Sequence, residues 1–439
     1  MNRFDGMRGM SRRAFLTGAF GTSVVLLASA CTAAPAAPTA TPAAAPKPTS
    51  APPAAAPPTA AAQPTAQQAP AAGTAGGGTL KLGVLLPYSK VYAALGEAIT
   101  NGMQLYFDQT GNTAGGRKIE IIKEDEENDP GVGLQKMRKM VEQDNVDLTT
   151  GIVSSAVLLA VRDYAHDNKV LLLVSNAGAE ALSKDRKSPY IFRTSFTNAQ
   201  PTAPMGEYVF KNVAKKVVTA AADYAAGRES MGGFSTAFKA AGGEIVAEVW
   251  PPFPNTDYGP FLEQIRGPRP EAVFCFFAGS DAVNFVRQFD DFGLKKDIKL
   301  LGSGFMLEQD TFPAQGNAAL GGISGLHYAT TLDNAENQKF SDEYQKRFNK
   351  PTDVYAVQGY DTARVIVETV NQAQGNTRDK DALVKVIEGI SFNSPRGPFK
   401  MDPESHAPIQ NIYAREVRAQ NGQPANFVVA TFPNIKDPA

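Results

Sequence analysis

From Thr79 onward, short apolar runs alternate with longer stretches in which apolar positions recur every three or four residues. The short runs suit strands buried on both faces, and the longer ones suit amphipathic helices. Leu80 to Leu86, Ile119 to Lys123, Leu148 to Val153 and Val170 to Val174 read as strands. Ile99, Met103 and Phe107 have helical spacing, as do Leu134, Met137 and Val141 within Val132 to Gln143; Val157 to Asp167 is a third helix. A second set repeats the pattern. Lys216 to Ala222, Glu244 to Val249, Ala272 to Phe277, Ile298 to Gly302 and Gly322 to Tyr328 read as strands, with helices over Arg228 to Ala241, Tyr258 to Ile265 and Asp281 to Phe292. Asn337 to Phe348, Val354 to Ala373 and Asp379 to Gly389 are helical.

Strand–helix–strand repetition predicts α/β architecture with parallel, doubly wound sheets. Two sets predict two lobes, the last helices returning to the first. The pattern is interrupted at Arg193 to Asn198, His327 to Asp333 and Pro398 to Asp402, which read as crossings of a three-strand hinge. The expected division is 79–195 plus 331–400 for lobe 1 and 196–330 plus 401–439 for lobe 2. In open α/β sheets a ligand sits off the carboxyl ends of the strands, so two facing lobes make one cleft.

The chain before Thr79 has a different character. Arg3, Arg8, Arg12 and Arg13 precede an uncharged run from Ala14 to Ala30, long enough for a signal segment and marginal for spanning a membrane. Ser11-Arg12-Arg13-Ala14-Phe15-Leu16 resembles a twin-arginine signal. Ala28-Ser29-Ala30-Cys31 resembles a lipobox, with Ala28 where leucine is usual. Residues 1–31 are therefore expected to be a lipoprotein signal with Cys31 acylated; plain cleavage or an uncleaved anchor would suit the same residues. Residues 32–78 are almost entirely Ala, Pro, Thr, Gln and Gly, with nothing to bury, and are expected to form a disordered tether.

A net charge of −1 and the lack of a basic stripe argue against nucleic acid. If Cys31 is acylated, Cys275, the one other cysteine, has no partner in the chain, and within Val273-Phe274-Cys275-Phe276-Phe277 it reads as a buried hydrophobe. His166, His327 and His406 show no ligand spacing, and the acidic run Glu124 to Glu127 reads as a solvated turn. There is no Gly-x-Ser-x-Gly, no Gly-Lys-Ser/Thr and no His-Glu-x-x-His. No catalytic residue, metal or cofactor is expected.

Several phrases fall in an order that resembles type I periplasmic binding proteins, specifically the branched-chain-amino-acid receptors of ABC transporters. They are Pro87 to Gly96, Asp129-Pro130, Gly151 to Ala156, Ser175 to Gly178, Tyr190 to Thr194, Asp223 to Gly227 and Gly359 to Ala363. Lys90 stands where that family often has glycine. The resemblance implies a monomeric, extracytoplasmic solute receptor without enzymatic activity, working with permease and ATPase subunits and held to the membrane by its lipid. An exported enzyme or a ligand-sensing subunit on the same fold are the rival readings.

The site residues implied are Tyr88, Ser89, Tyr92, Ser154, Ser155, Ser175, Asn176, Ala177, Gly178, Tyr224, Ser280, Gly304 and Tyr360. Ser154 and Ser155 lie where a strand meets a helix N-terminus, a place suited to a carboxylate and equally to simple capping. Tyrosines offer a flat apolar face with one hydroxyl. Where amino-acid receptors carry an acid for the ammonium group, Leu301-Gly302-Ser303-Gly304-Phe305 offers Gly304, and Ser280 stands where an aromatic residue is usual. An ammonium without a counter-charge is costly to bury, which disfavours a standard amino acid. The phrases Pro87-Tyr88-Ser89, Tyr92-Ala93-Ala94-Leu95-Gly96 and Asp223-Tyr224-Ala225-Ala226-Gly227 resemble those of receptors for aromatic or related organic carboxylates. An amino-acid-like carboxylate stays open because Asp281 and Glu308 could supply a charge.

Overall fold

The computed structural model describes residues 78–438; the expected signal, Cys31 and nearly all of the tether lie outside them. The first sheet is built from β1 (Thr79–Leu86), β2 (Thr113–Ala114), β3 (Arg117–Asp125), β4 (Leu148–Gly151), β5 (Leu172–Val174) and β6 (Ile191–Arg193). Between them run α1 (Ala93–Gln109), α2 (Pro130–Glu142) and α3 (Ser155–Asp167). The strand order is β2-β3-β1-β4-β5-β6, parallel except for the short β2. Leu80, Leu82, Val84 and Leu86 pack on one side of β1 and Leu85 on the other, because helices cover both faces of a parallel sheet. Asp129 starts α2 by accepting the N–H groups of Gly131 and Val132 at 2.8 and 3.0 Å, with Pro130 in the first turn.

The second set comprises α4 (Ala203–Asn212), β7 (Lys216–Ala221), α5 (Ala225–Ala240), β8 (Glu244–Val249), α6 (Gly259–Arg266) and β9 (Ala272–Phe276). It continues through α7 (Gly279–Asp291), β10 (Lys299–Ser303), α8 (Phe312–Gln315) and β11 (Ile323–Leu326). Its strands run β8-β7-β9-β10-β11, repeating the β3-β1-β4-β5-β6 order of the first sheet. The chain then forms α9 (Ala335–Phe348), α10 (Val354–Gln372) and α11 (Lys380–Glu388). α10 lies against α1 at glycine crossings: a Cβ on Gly102 would meet the Ala356 carbonyl oxygen at 1.9 Å, and one on Gly359 that of Ile99 at 2.0 Å.

Two features depart from the expected pattern. Pro398 to Asp402 is not a crossing: it lies in β13 (Gly397–Asp402), and the chain has already joined the second sheet at β12 (Ser391–Ser394). β14 (Ala407–Gln420) and β15 (Gln423–Ile435) then extend that sheet as an antiparallel hairpin. The hairpin has no continuous apolar run: β14 is mostly buried but sets the hydrogen-bonded polar side chains Gln410 and Arg415 among its apolar positions, and β15 is half-exposed.

Buried arginines brace the crossings. Arg396 donates to the carbonyl oxygens of Ser195 and Thr194 at 2.8 and 2.6 Å and pairs with Asp361 at 2.7 Å, both side chains fully buried. Arg415 pairs with Glu308 at 2.8 Å and donates to the Tyr328 carbonyl oxygen at 2.6 Å. Cys275 is buried in β9, and burial pushes its thiol well up. Among the described residues no helix is long and apolar enough to cross a membrane.

Candidate functional site

The shared strand order reverses between β1 and β4 in one sheet and between β7 and β9 in the other. Loops leaving the strands diverge at such a point and open a crevice beyond their carboxyl ends. A cavity lies there, lined from both sheets. Tyr92 follows β1, Ser155 follows β4, Asn176 and Gly178 follow β5, Tyr224 follows β7, Ala278 follows β9 and Phe305 follows β10. Phe196 and Asn198 come from the first crossing and Tyr355 from the first turn of α10. The free space among its lining atoms is narrow, about 20 Å³. A larger groove beside the β14–β15 hairpin is lined by none of the expected residues.

The polar groups of the cavity form two sets. In the first, Asn198 Nδ2 donates to Ser155 Oγ at 3.2 Å, leaving the serine proton free to be donated onward. The N–H groups of Val153 and Ser154, just before α3, are taken by Glu126. Asn176 is oriented by donating to Gln358 Oε1 at 2.7 Å, and Gln358 in turn meets His327 Nε2 at 3.1 Å. Gly178 permits this closeness, since a Cβ there would lie 2.6 Å from Asn198 Oδ1. In the second set, the hydroxyls of Tyr92 and Tyr224 meet at 2.8 Å, joining the two lobes. The Tyr355 hydroxyl is buried with no hydrogen-bond partner in the protein. Burial raises the pKa of all three phenols, so they act as neutral donors. The walls are aromatic: Phe253 stacks on Tyr224 at 4.6 Å and 14°, and Phe196 meets Phe305 at 4.8 Å. None of the lining side chains is charged.

Of the expected residues, Tyr92, Ser155, Asn176, Gly178 and Tyr224 converge on this cavity. The others fall elsewhere. Ser154 stands just before α3, its side chain makes no capping hydrogen bond, and its backbone N–H is given to Glu126 at 3.1 Å. Ser175 and Ala177 flank Asn176 in its loop, are buried and do not line the cavity. Tyr88 bonds Thr100 at 2.8 Å, with its phenol pushed up to about 12 by burial, and Ser89 bonds Asp125. Tyr360 donates to Gln109 at 2.8 Å and stands edge-on to Tyr106, five residues past the tyrosine that does reach the cavity. Ser280 is exposed in the first turn of α7.

Gly304 is glycine for a reason internal to the protein: a Cβ would lie 2.3 Å from Arg415 Nη2. The two nearby acids are engaged, Glu308 by Arg415 and Asp281 by the Asn255 N–H at 3.2 Å. Lys90 adopts φ 60°, the left-handed conformation that makes glycine usual there.

The acidic run is not wholly a solvated turn. Glu126 is fully buried, accepts the N–H groups of Val153 and Ser154 at 3.3 and 3.1 Å, and is pushed up to about 8 by burial. Its carboxyl thus already occupies the approach to α3 that Ser154 was expected to offer a ligand. Asn198, Phe305 and Tyr355 were not expected, although Asn198 ends the first crossing and Phe305 follows Gly304 directly. His327 is buried, with its pKa well down through burial first and then Arg396 and Arg415, so it is a neutral structural histidine.

A family model described as periplasmic binding protein matches residues 79–423. A Leu/Ile/Val-binding protein homologue of Brucella melitensis is 32% identical over 365 residues, covering 82% of this chain and 93% of its own. A solute-binding protein of an ABC transporter from R. palustris, solved with benzoate, is similar with a TM-score of 0.78 and 36% identity, over 82% of this chain and 98% of that one. Another from Rhodopseudomonas palustris, solved with 3,4-dihydroxybenzoic acid, has a TM-score of 0.79 and 35% identity, over 82% of this chain and 99% of that one.

Proposed function

The chain belongs to the periplasmic binding protein family, and from that membership we propose that it is the solute-binding subunit of an ABC importer that captures a small aromatic carboxylate. The observation that carries the proposal is the cavity lining: aromatic walls, hydroxyls and amides, and no charged side chain. An α-amino acid would bring an ammonium group with nothing to balance it. A benzoate-like ligand brings one negative charge, which the Ser155 hydroxyl and the remaining N–H of the Asn176 amide suit. Its ring suits the slot between Phe196, Phe305 and Tyr224, and a ring hydroxyl would give Tyr355 the partner it lacks.

In this reading the carboxylate docks on the first lobe, and Tyr224 and Phe305 of the second lobe close over the ring. Contacts to both lobes stabilise the closed form, which the permease would read. Acylation of Cys31 would hold the receptor, a monomer, at the outer face of the membrane, and residues 32–78 would give it reach. The relatives are solute-binding proteins of ABC transporters, and the chain is accordingly read as a receptor and not an enzyme.

Melting curves test the proposal, because a ligand that binds only the native state raises the melting temperature. Benzoate, 4-hydroxybenzoate and 3,4-dihydroxybenzoate are expected to raise it and leucine to leave it unchanged. A rise with leucine and none with any benzoate would transfer the protein to the amino-acid receptors.

A further inference from the structure

Glu229 stands on α5, one turn beyond Tyr224, and does not line the cavity. Its Oε2 accepts from Asn198 Nδ2 at 2.5 Å and from the backbone N–H of Glu180 at 3.2 Å. Glu180 follows β5 in the first lobe, whereas α5 belongs to the second. The same Asn198 amide donates to Ser155 Oγ at 3.2 Å. One carboxyl therefore joins the two lobes and, through Asn198, sets the hydroxyl offered to a ligand.

We infer that Glu229 is a positioning residue that takes a proton from solvent as the lobes close on a carboxylate, so that ligand capture and proton uptake are coupled. This rests on the carboxylate reading of the cavity. Parting the lobes would separate Glu229 from Glu180 and return it to water, where a carboxyl ionises normally. Closing removes that water and places the ligand's negative charge beyond Asn198 and Ser155.

The charged surroundings favour the acid form in the closed state. Glu180 adds a like charge, itself paired with Lys184 at 3.4 Å. Arg193 opposes it, but its guanidinium is committed to the carbonyl oxygens of Ala179 and Ser405 at 2.8 and 2.6 Å and also faces Asp437. On α5 itself, Arg228 pairs with Asp223 at 2.7 Å and lies over Trp250. On the neighbouring α4, Glu207 and Lys211 pair with each other, and α3 contributes the uncharged Ser155. Burial first, and Glu180 second among the raising influences, push Glu229 from its ordinary 4.5 up to about 7.

A carboxyl raised only in the closed state makes ligand binding stronger at low pH, with the advantage lost as pH climbs from 4.5 through 7. Between pH 6 and pH 8 the fall in affinity is up to about tenfold. Titration calorimetry with benzoate, in phosphate and in Tris at pH 6.5, reads the proton directly. The wild-type protein should take up roughly three quarters of a proton per benzoate. Glu229→Gln keeps an acceptor for Asn198 but cannot ionise, and should take up none and bind independently of pH. Equal uptake in both proteins, or none in the wild type with benzoate bound, would overturn the inference.

If benzoate gives no heat, the aromatic-acid reading is at fault, and the same two proteins still decide the matter without ligand. Without ligand, the melting temperature of Glu229→Gln minus that of wild type should stay constant from pH 5.5 to pH 8, because in the open protein the acid lies in water and ionises as it does in the unfolded chain. A difference that rises across that range would mean the acid is already buried before any ligand binds, and would also overturn it.

Discussion

Tyr355→Phe removes one oxygen atom from a ring that is 1% exposed. The hydroxyl has no partner in the protein, so the free receptor carries the desolvation penalty of an unmade hydrogen bond, about 1–3 kcal/mol. Removing the hydroxyl should stabilise the free protein by about 1 kcal/mol and raise its melting temperature by about 2 °C. Binding should move the opposite way for a ligand with a ring hydroxyl. A lost hydrogen bond of about 1 kcal/mol weakens 4-hydroxybenzoate about fivefold, while benzoate, which offers no hydroxyl, should hold its affinity. Melting curves and calorimetric titration of the two acids give both readouts. A lower melting temperature, or equal weakening of both acids, would refute a role for Tyr355 in meeting the ring substituent.

Gly279 begins α7 at φ +59°, and a Cβ there would lie 2.5 Å from the Val91 carbonyl oxygen across the cleft. Gly279→Ala should therefore hinder closure, with at least about a tenfold loss of affinity by calorimetry, while far-ultraviolet circular dichroism stays native. Asp361→Asn strands the fully buried Arg396 and should cost about 3–5 kcal/mol in urea unfolding, most of it recovered when Arg396→Met is added. Glu126, pushed up to about 8 by burial, holds its proton more tightly folded than unfolded. Wild-type stability should thus fall as pH climbs from 4.5 through 8, and the melting temperature of Glu126→Gln relative to wild type should be higher at pH 9 than at pH 5.

Where a segment is buried on both faces, its sequence was enough to reveal it. β1, β9 and the helices between them are apolar runs or stripes with no competing pattern, and the repeated order of units revealed both sheets. The β14–β15 hairpin was hidden because β14 buries polar side chains such as Gln410 and Arg415 among its apolar ones and β15 is half-exposed, so neither strand gives an apolar run. At the cavity, residues placed by strand ends were legible: Tyr92, Ser155, Asn176, Gly178 and Tyr224 sit where a parallel strand releases the chain. Residues placed by tertiary packing were not. Tyr355 and Tyr360 share a helix, and only the approach of its first turn to the cleft separates their roles. Gly304 pointed away from amino acids, yet its immediate cause is the Arg415 guanidinium beside it. Glu126 was hidden for the same reason, since four consecutive acids give no sign that one folds inward.

Calorimetric titration of the protein with benzoate and with leucine at pH 6.5 tests the ligand class most directly. Capture of an aromatic acid predicts saturable, one-to-one heat with benzoate and none with leucine. One-to-one binding of leucine, with benzoate silent, would contradict it.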